Sequence, residues 1–121
     1  MTSEIALEYI VLRCGDLERS RAFYEALGLP LVGEQHGRGA RHYSCSLGSI
    51  VIEFYPLAGR PSSGARLGLR IANVAAAVSL VKTLGAEIVR VQIEGPSPSA
   101  VIRDPDGHEI ALTENAGAID G

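Results

Sequence analysis

Leu12-Arg13-Cys14-Gly15-Asp16 and, 57 positions further on, Leu69-Arg70-Ile71-Ala72-Asn73 decide the fold of this 121-residue chain. At the same shift Leu27-Gly28 falls on Leu84-Gly85, and Val32 falls on Val89. Self-similarity at a fixed offset marks one structural unit used twice. The unit reads as an apolar strand, an Asp or Asn, an amphipathic helix, Leu-Gly, and a further strand. Asp16 and Asn73 are N-cap residues, whose side-chain oxygens satisfy the free amides of a first helical turn. After Asn73, the residues Val74, Ala77, Val78, Val81 and Leu84 form an apolar stripe at helical spacing. After Asp16, the residues Leu17, Ser20, Phe23, Tyr24 and Leu27 do the same, with Glu18, Arg19 and Arg21 outward. Gly28 and Gly85 stand where a helix ends in a left-handed residue.

Outward from the repeat, strands are expected at Ile5–Cys14, about 31–35, Tyr43–Leu47, Ile50–Tyr55, Arg66–Ile71, Ile88–Ile93, Ala100–Arg103 and His108–Glu114. Gly59-Arg60-Pro61-Ser62-Ser63-Gly64 is a linker by composition, and Gly95-Pro96-Ser97-Pro98-Ser99 a second loop. Asp104-Pro105-Asp106-Gly107 joins the last two strands as a hairpin, with Pro presetting one dihedral and Gly taking a positive one. The result is an α+β domain over 1–121, with module 1 at about 5–58, the linker at 59–64 and module 2 at about 65–115.

Composition excludes several classes. Net charge is −3 with both signs interspersed, so neither a nucleic-acid stripe nor an acidic tail is present. The N-terminus lacks a basic region followed by an apolar run, and no apolar stretch could span a bilayer. Cytoplasmic localisation is the expectation. Cys14 and Cys45 are too few and too far apart for a disulfide scaffold or zinc knuckle, and read as buried thiols.

The segment from Tyr9 to Gly28 resembles the opening strand and helix of the vicinal oxygen chelate superfamily, the glyoxalase, bleomycin-resistance and extradiol dioxygenase fold. Asp104-Pro105-Asp106-Gly107-His108-Glu109-Ile110-Ala111-Leu112 resembles its closing hairpin. The resemblance implies two tandem βαβββ modules forming an open, U-shaped mixed sheet around a cavity, with helices on the outer face. It also implies a cavity that often forms at a dimer interface, so a homodimer is expected. Metal-dependent members take four ligands from the first and fourth strands of the modules. Those positions fall on Tyr9, Glu53, Arg66 and Ala111 in this chain. Only Glu53 is a competent ligand, because Arg66 is a fixed cation and Ala111 has no donor atom. One carboxylate does not hold a divalent ion against water. No metal or other cofactor is therefore expected, with a divalent metal as the alternative.

Strand alternation assigns the remaining side chains. Arg66, Gly68 and Arg70 share one face of their strand. Glu109, Ala111 and Thr113, and likewise Val51, Glu53 and Tyr55, lie opposite the helix-covered sides. The first strand leaves Leu7, Tyr9, Val11 and Arg13. Tyr9, Glu53, Tyr55, Arg66, Arg70 and Ala111 are the expected ligand-binding residues, and Glu53 is the best catalytic candidate. Arg66 would clamp an anion, with Glu53 and Tyr9 orienting it. The competing reading is a Glu53–Arg66 ion pair that neutralises two enclosed charges. His36, His42 and His108 match no metal-binding spacing and read as surface or hairpin residues. His108-Glu109 is no acid–base pair, since adjacent strand residues point to opposite faces.

Three functions compete. The first is metal-free binding of a small, anionic organic molecule, either to sequester it or for metal-free chemistry. The second is a metal-dependent lyase, isomerase or dioxygenase of the glyoxalase type, which would need unusual ligands such as Glu53 with His42 or Glu109. The third is a ligand-sensing module without chemistry.

Overall fold

In the computed structural model, which describes residues 5–62 and 64–115, the two caps do what their positions require. The Asp16 carboxylate accepts from the Glu18 and Arg19 amides, both at 3.1 Å, and starts α1 (Leu17–Ala26). The Asn73 side chain accepts from the Ala76 amide at 2.9 Å and starts α2 (Val74–Thr83). Each helix is followed by a left-handed glycine, Gly28 at φ 104° and Gly85 at φ 86°.

Eight strands surround these helices: β1 (Tyr9–Cys14), β2 (Val32–Glu34), β3 (His42–Leu47), β4 (Ile50–Pro56), β5 (Arg66–Ile71), β6 (Glu87–Gln92), β7 (Ser99–Arg103) and β8 (Glu109–Glu114). They form two four-stranded mixed sheets, β1-β4-β3-β2 and β5-β8-β7-β6. The repeat keeps its strand pairing with one residue inserted in the second module. β1 runs parallel to β4 with Tyr9 opposite Val51, and β5 runs parallel to β8 with Arg66 opposite Glu109.

Some boundaries differ from the sequence reading. The first strand begins at Tyr9 and not at Ile5, because β4, the partner of this edge strand, itself begins at Ile50. Leu84 lies past the last turn of α2 as its C-cap and is 45% exposed, so it leaves the buried stripe. Val74, Ala77 and Val81 stay buried on that stripe.

The helix-covered sides of the sheets meet in one core. Leu12, Phe23, Tyr24 and Phe54 from the first module belong to the same buried cluster as Val74, Val81, Ile102 and Ile110 from the second. α1 touches α2 directly. Cys14 and Cys45 are free and buried, as expected. Among the described residues no helix is long and apolar enough to cross a membrane.

Polar contacts reinforce the junction. The turn between β7 and β8 closes through the Gly107 amide on the Asp104 carbonyl at 3.0 Å. From this turn Asp106 accepts from the Gly15 amide at 2.8 Å, and Asp104 accepts from the Tyr24 hydroxyl at 2.6 Å. Asp104 also takes the His108 amide and Nδ1, each at 2.8 Å, and the Asp106 amide at 2.9 Å. The Ser62 hydroxyl, on the linker, lies 3.3 Å from His108 Nε2. His108 is therefore a hairpin residue but a buried one: its ring fills the junction and partners Asp104.

Candidate functional site

The face of each sheet away from the shared core carries its side chains in cross-strand rows. On the first sheet, the central row is Val11, Glu53, Ser44 and Val32. The row of Tyr9, Val51 and Ser46 lies to one side of it. On the other side Arg13 pairs with Tyr55, and His42 with Glu34. Here the side chains stack. The Arg13 guanidinium lies 5.3 Å from the Tyr55 ring centre, and Tyr55 stacks on His42 at 4.2 Å and 9°. Burial, with Glu53 beside it, pushes the Tyr55 phenol above its ordinary value, so it stays a proton donor. This stack covers His42, which is only 1% exposed. Of the two alternatives the sequence offered for His42, surface or hairpin, the surface one is corrected: it opens β3 in the β2–β3 hairpin and is buried.

The second sheet carries an alternating ladder across all four of its strands. Arg66 bonds Glu109 at 3.2 Å, Glu109 bonds Arg103 at 3.2 Å, and Arg103 bonds Glu87 at 2.6 Å. Next to it lies a row of small residues, Gly68, Ala111 and Val101. A Cβ built on Gly68 would meet nothing within 4 Å, so the floor there is open. The third row is Arg70, Thr113, Ser99 and Gln92. Arg70 also borders a shallow cavity of about 270 Å³ whose apolar wall includes Leu27, Leu29 and Leu47.

The site residues inferred from sequence thus divide between two faces. Tyr9, Glu53 and Tyr55 share the first sheet, while Arg66, Arg70 and Ala111 share the second. Among the described residues no hydrogen bond, ion pair or ring contact joins the two faces. Glu53 and Arg66 do not form the anticipated pair. Glu53 comes to 3.9 Å from His42 Nε2, and Arg66 turns to Glu109, its cross-strand neighbour. His108 and Glu109 do point to opposite faces, one into the junction and one into the ladder.

Donor chemistry at Tyr9, Glu53, Arg66 and Ala111 does not fit a divalent metal. Arg66 brings a positive charge already matched by Glu109, Ala111 brings no lone pair, and Tyr9 is 62% exposed on the edge strand. A different group does place metal-type donors together. Glu34, His36 and His42 hold one ligand atom each, all within 4.8 Å of one another. Sequence spacing did not reveal it, because five residues lie between the histidines and only the β2–β3 register puts Glu34 opposite His42.

The family model described as Glyoxalase/Bleomycin resistance protein/Dioxygenase superfamily matches residues 6–112. No curated protein matches the chain. Among solved structures, the antibiotic-binding protein TnmS3 from a Streptomyces species superposes with a TM-score of 0.69 at 21% identity, over 96% of this chain and 100% of that one. A glyoxalase/bleomycin resistance protein from Albidiferax ferrireducens gives 0.67 at 20% identity, over 90% and 98%. Lactoylglutathione lyase from Agrobacterium tumefaciens gives 0.59 at 18% identity, over 91% and 93%. At these identities the likeness is one of fold.

Proposed function

The chain belongs to the glyoxalase/bleomycin resistance protein/dioxygenase superfamily, and on that premise we propose that it binds a small anionic organic molecule at the open face of its second sheet. The observation that carries this reading is the unequal treatment of the arginines there. Arg66 and Arg103 are matched one for one by Glu109 and Glu87, whereas Arg70 and Arg90 have no ion pair among the described residues, and of these two only Arg70 shares its row with the hydroxyls of Thr113 and Ser99. The anchoring cation is then Arg70, and not Arg66 as the sequence suggested. A guanidinium offers a carboxylate or phosphate two parallel hydrogen bonds. Thr113 and Ser99 in the same row add hydroxyl donors, and Gly68 leaves room on the same face.

The four family ligand positions lie on two separate faces of one chain. A homodimer in which the first sheet of one copy covers the second sheet of the other would bring Tyr9, Glu53 and Tyr55 over Arg66, Arg70 and Ala111. Exposed apolar side chains on the first face, Tyr9 and Val32, support such a cover. Sequestration is the role this arrangement serves best. TnmS3, antibiotic-binding by name, supports a binding role for the fold but does not transfer its ligand at 21% identity.

A thermal-shift screen of small aromatic and aliphatic carboxylates and phosphates tests the reading. At least one anion should stabilise the wild type, with the response abolished in Arg70→Met and kept in Arg60→Met on the linker. A screen with no stabilising anion, or an undiminished response in Arg70→Met, refutes it.

A further inference from the structure

We propose that Glu34, His36 and His42 form a divalent transition-metal site at the β2–β3 hairpin, separate from the four strand positions at which the family takes its metal. Glu34 Oε1 lies 3.2 Å from His42 Nε2 and 3.7 Å from His36 Nε2. Bonds of about 2.0–2.2 Å from one ion to nitrogen and oxygen ligands put neighbouring ligand atoms roughly 3.0–3.5 Å apart. The Glu34–His42 pair already has that spacing, and with all three ligand atoms within 4.8 Å of one another a small turn of the exposed His36 ring completes the set.

The His42 ring is set up as a ligand. Its Nδ1 lies 3.1 Å from the Ala40 carbonyl, which can only accept, so Nδ1 carries the proton of that bond. In the neutral ring this leaves the Nε2 lone pair aimed at Glu34. A metal-binding imidazole is usually fixed in this way, by its other nitrogen on a carbonyl or carboxylate. Tyr55, stacked on the ring, holds its plane. Glu34 is the last residue of β2 and pairs directly with His42, the first residue of β3, so sheet hydrogen bonds fix their spacing. His36, on the connecting loop with a side chain 77% exposed, closes the site from the solvent side and leaves positions for water or a ligand atom. Around this group Glu53 Oε2 comes to 3.9 Å and the Tyr55 hydroxyl to 3.4 Å from His42 Nε2, placed to orient a bound water. Two imidazoles with one carboxylate select zinc, nickel or cobalt over magnesium or calcium.

The simpler use of the same atoms is a protonated His42 shared by Glu34 and Glu53. That arrangement needs nothing from His36, and the two uses therefore separate experimentally. The tag-free full chain, stripped with a chelator, is titrated with zinc, nickel and cobalt chloride by calorimetry, and zinc binding is followed on the histidine ring nitrogens by NMR. One ion per chain is expected, with the Nε2 signals of His36 and His42 shifting and that of His108 unmoved. His36→Ala and Glu34→Gln should each weaken binding by about tenfold or more, the least that losing a ligand costs when even an outer partner is worth that much. Glu25→Gln on α1 should not. His36 is exposed, so its replacement tests the site without touching the core, and circular dichroism checks that both variants fold. Binding well below one ion per chain overturns the proposal. So does full affinity in His36→Ala and Glu34→Gln, or an ion that shifts His108 instead.

Discussion

Replacing Tyr24 by Phe removes one oxygen from the junction between the modules and little else. The ring keeps its packing against Phe23 and Phe54, at centroid separations of 5.0 and 4.6 Å. What is lost is a buried 2.6 Å hydrogen bond to the Asp104 carboxylate. Bonds to charged acceptors contribute about 1.5–3 kcal/mol. Asp104 keeps three further donors in Tyr24→Phe, so the loss should stay within that range. Asp104→Ala instead strands all four donors at once and should cost about 3–5 kcal/mol, the scale of breaking a buried charged pair. Against a total stability of about 5–15 kcal/mol, the first variant survives and the second is marginal. Urea unfolding at pH 7, followed by circular dichroism, reads both as a lower midpoint at unchanged slope. The phenol gives an independent check. Burial, and then the Asp104 charge, raise its ionisation in the folded state above the ordinary value of 10.0. Only the unfolded chain then loses this proton as pH climbs past about 10, so stability present below that pH declines above it. Tyr24→Phe should flatten the decline. A loss below about 0.5 kcal/mol in Tyr24→Phe would show that Asp104 is satisfied without it and refute the reasoning.

Sedimentation at micromolar concentration should give about twice the 12.8 kDa chain mass, and a monomer would remove the cover proposed for the open faces. Burial pushes the Cys14 thiol up to about 11, so iodoacetamide at pH 8 should leave it unmodified until denaturant is added; rapid labelling of the native protein would contradict its place in the core. Because the folded thiol ionises later than the unfolded one, its contribution is intact below the ordinary value of 9.0 and fades between there and about 11. Asp16→Ala frees two amides and Asn73→Ala one, so each should cost about 1 kcal/mol in urea unfolding, and unchanged midpoints would show that the caps are dispensable.

The features legible in the sequence are those fixed by neighbours in the chain. Asp16 and Asn73 cap because a side-chain oxygen reaches amides two or three residues on, and Gly28 and Gly85 end helices for an equally local reason. The 57-residue offset carried the topology, since two copies of one unit must pair their strands alike. The same repeat, read with one residue inserted, held the true partner of Arg66, because the pairing that sets Tyr9 opposite Val51 then sets Arg66 opposite Glu109. Proximity across strands, not similarity of role, decides which charges pair. The buried His42 and His108 were not legible. Each is covered by residues brought in from elsewhere, Tyr55 and Glu34 for one, the Asp104 turn and the Ser62 linker for the other.

Each sheet is completed by a contiguous stretch of chain, and no strand crosses from one to the other. Every strand pairing is accordingly made over at most about half the chain, so each module can condense on local loop closures before the common core assembles. The bonds of Tyr24 and Gly15 to the Asp104–Gly107 turn should then form late, by docking and not by threading. A polypeptide built this way tolerates a cut where other folds do not. Cleaved between Leu57 and Ala65, its halves keep every strand partner and every core neighbour. Mixed as separate fragments, they should reassociate into the native pair, and at high concentration intact chains can trade modules with no surface exposed that the monomer buries.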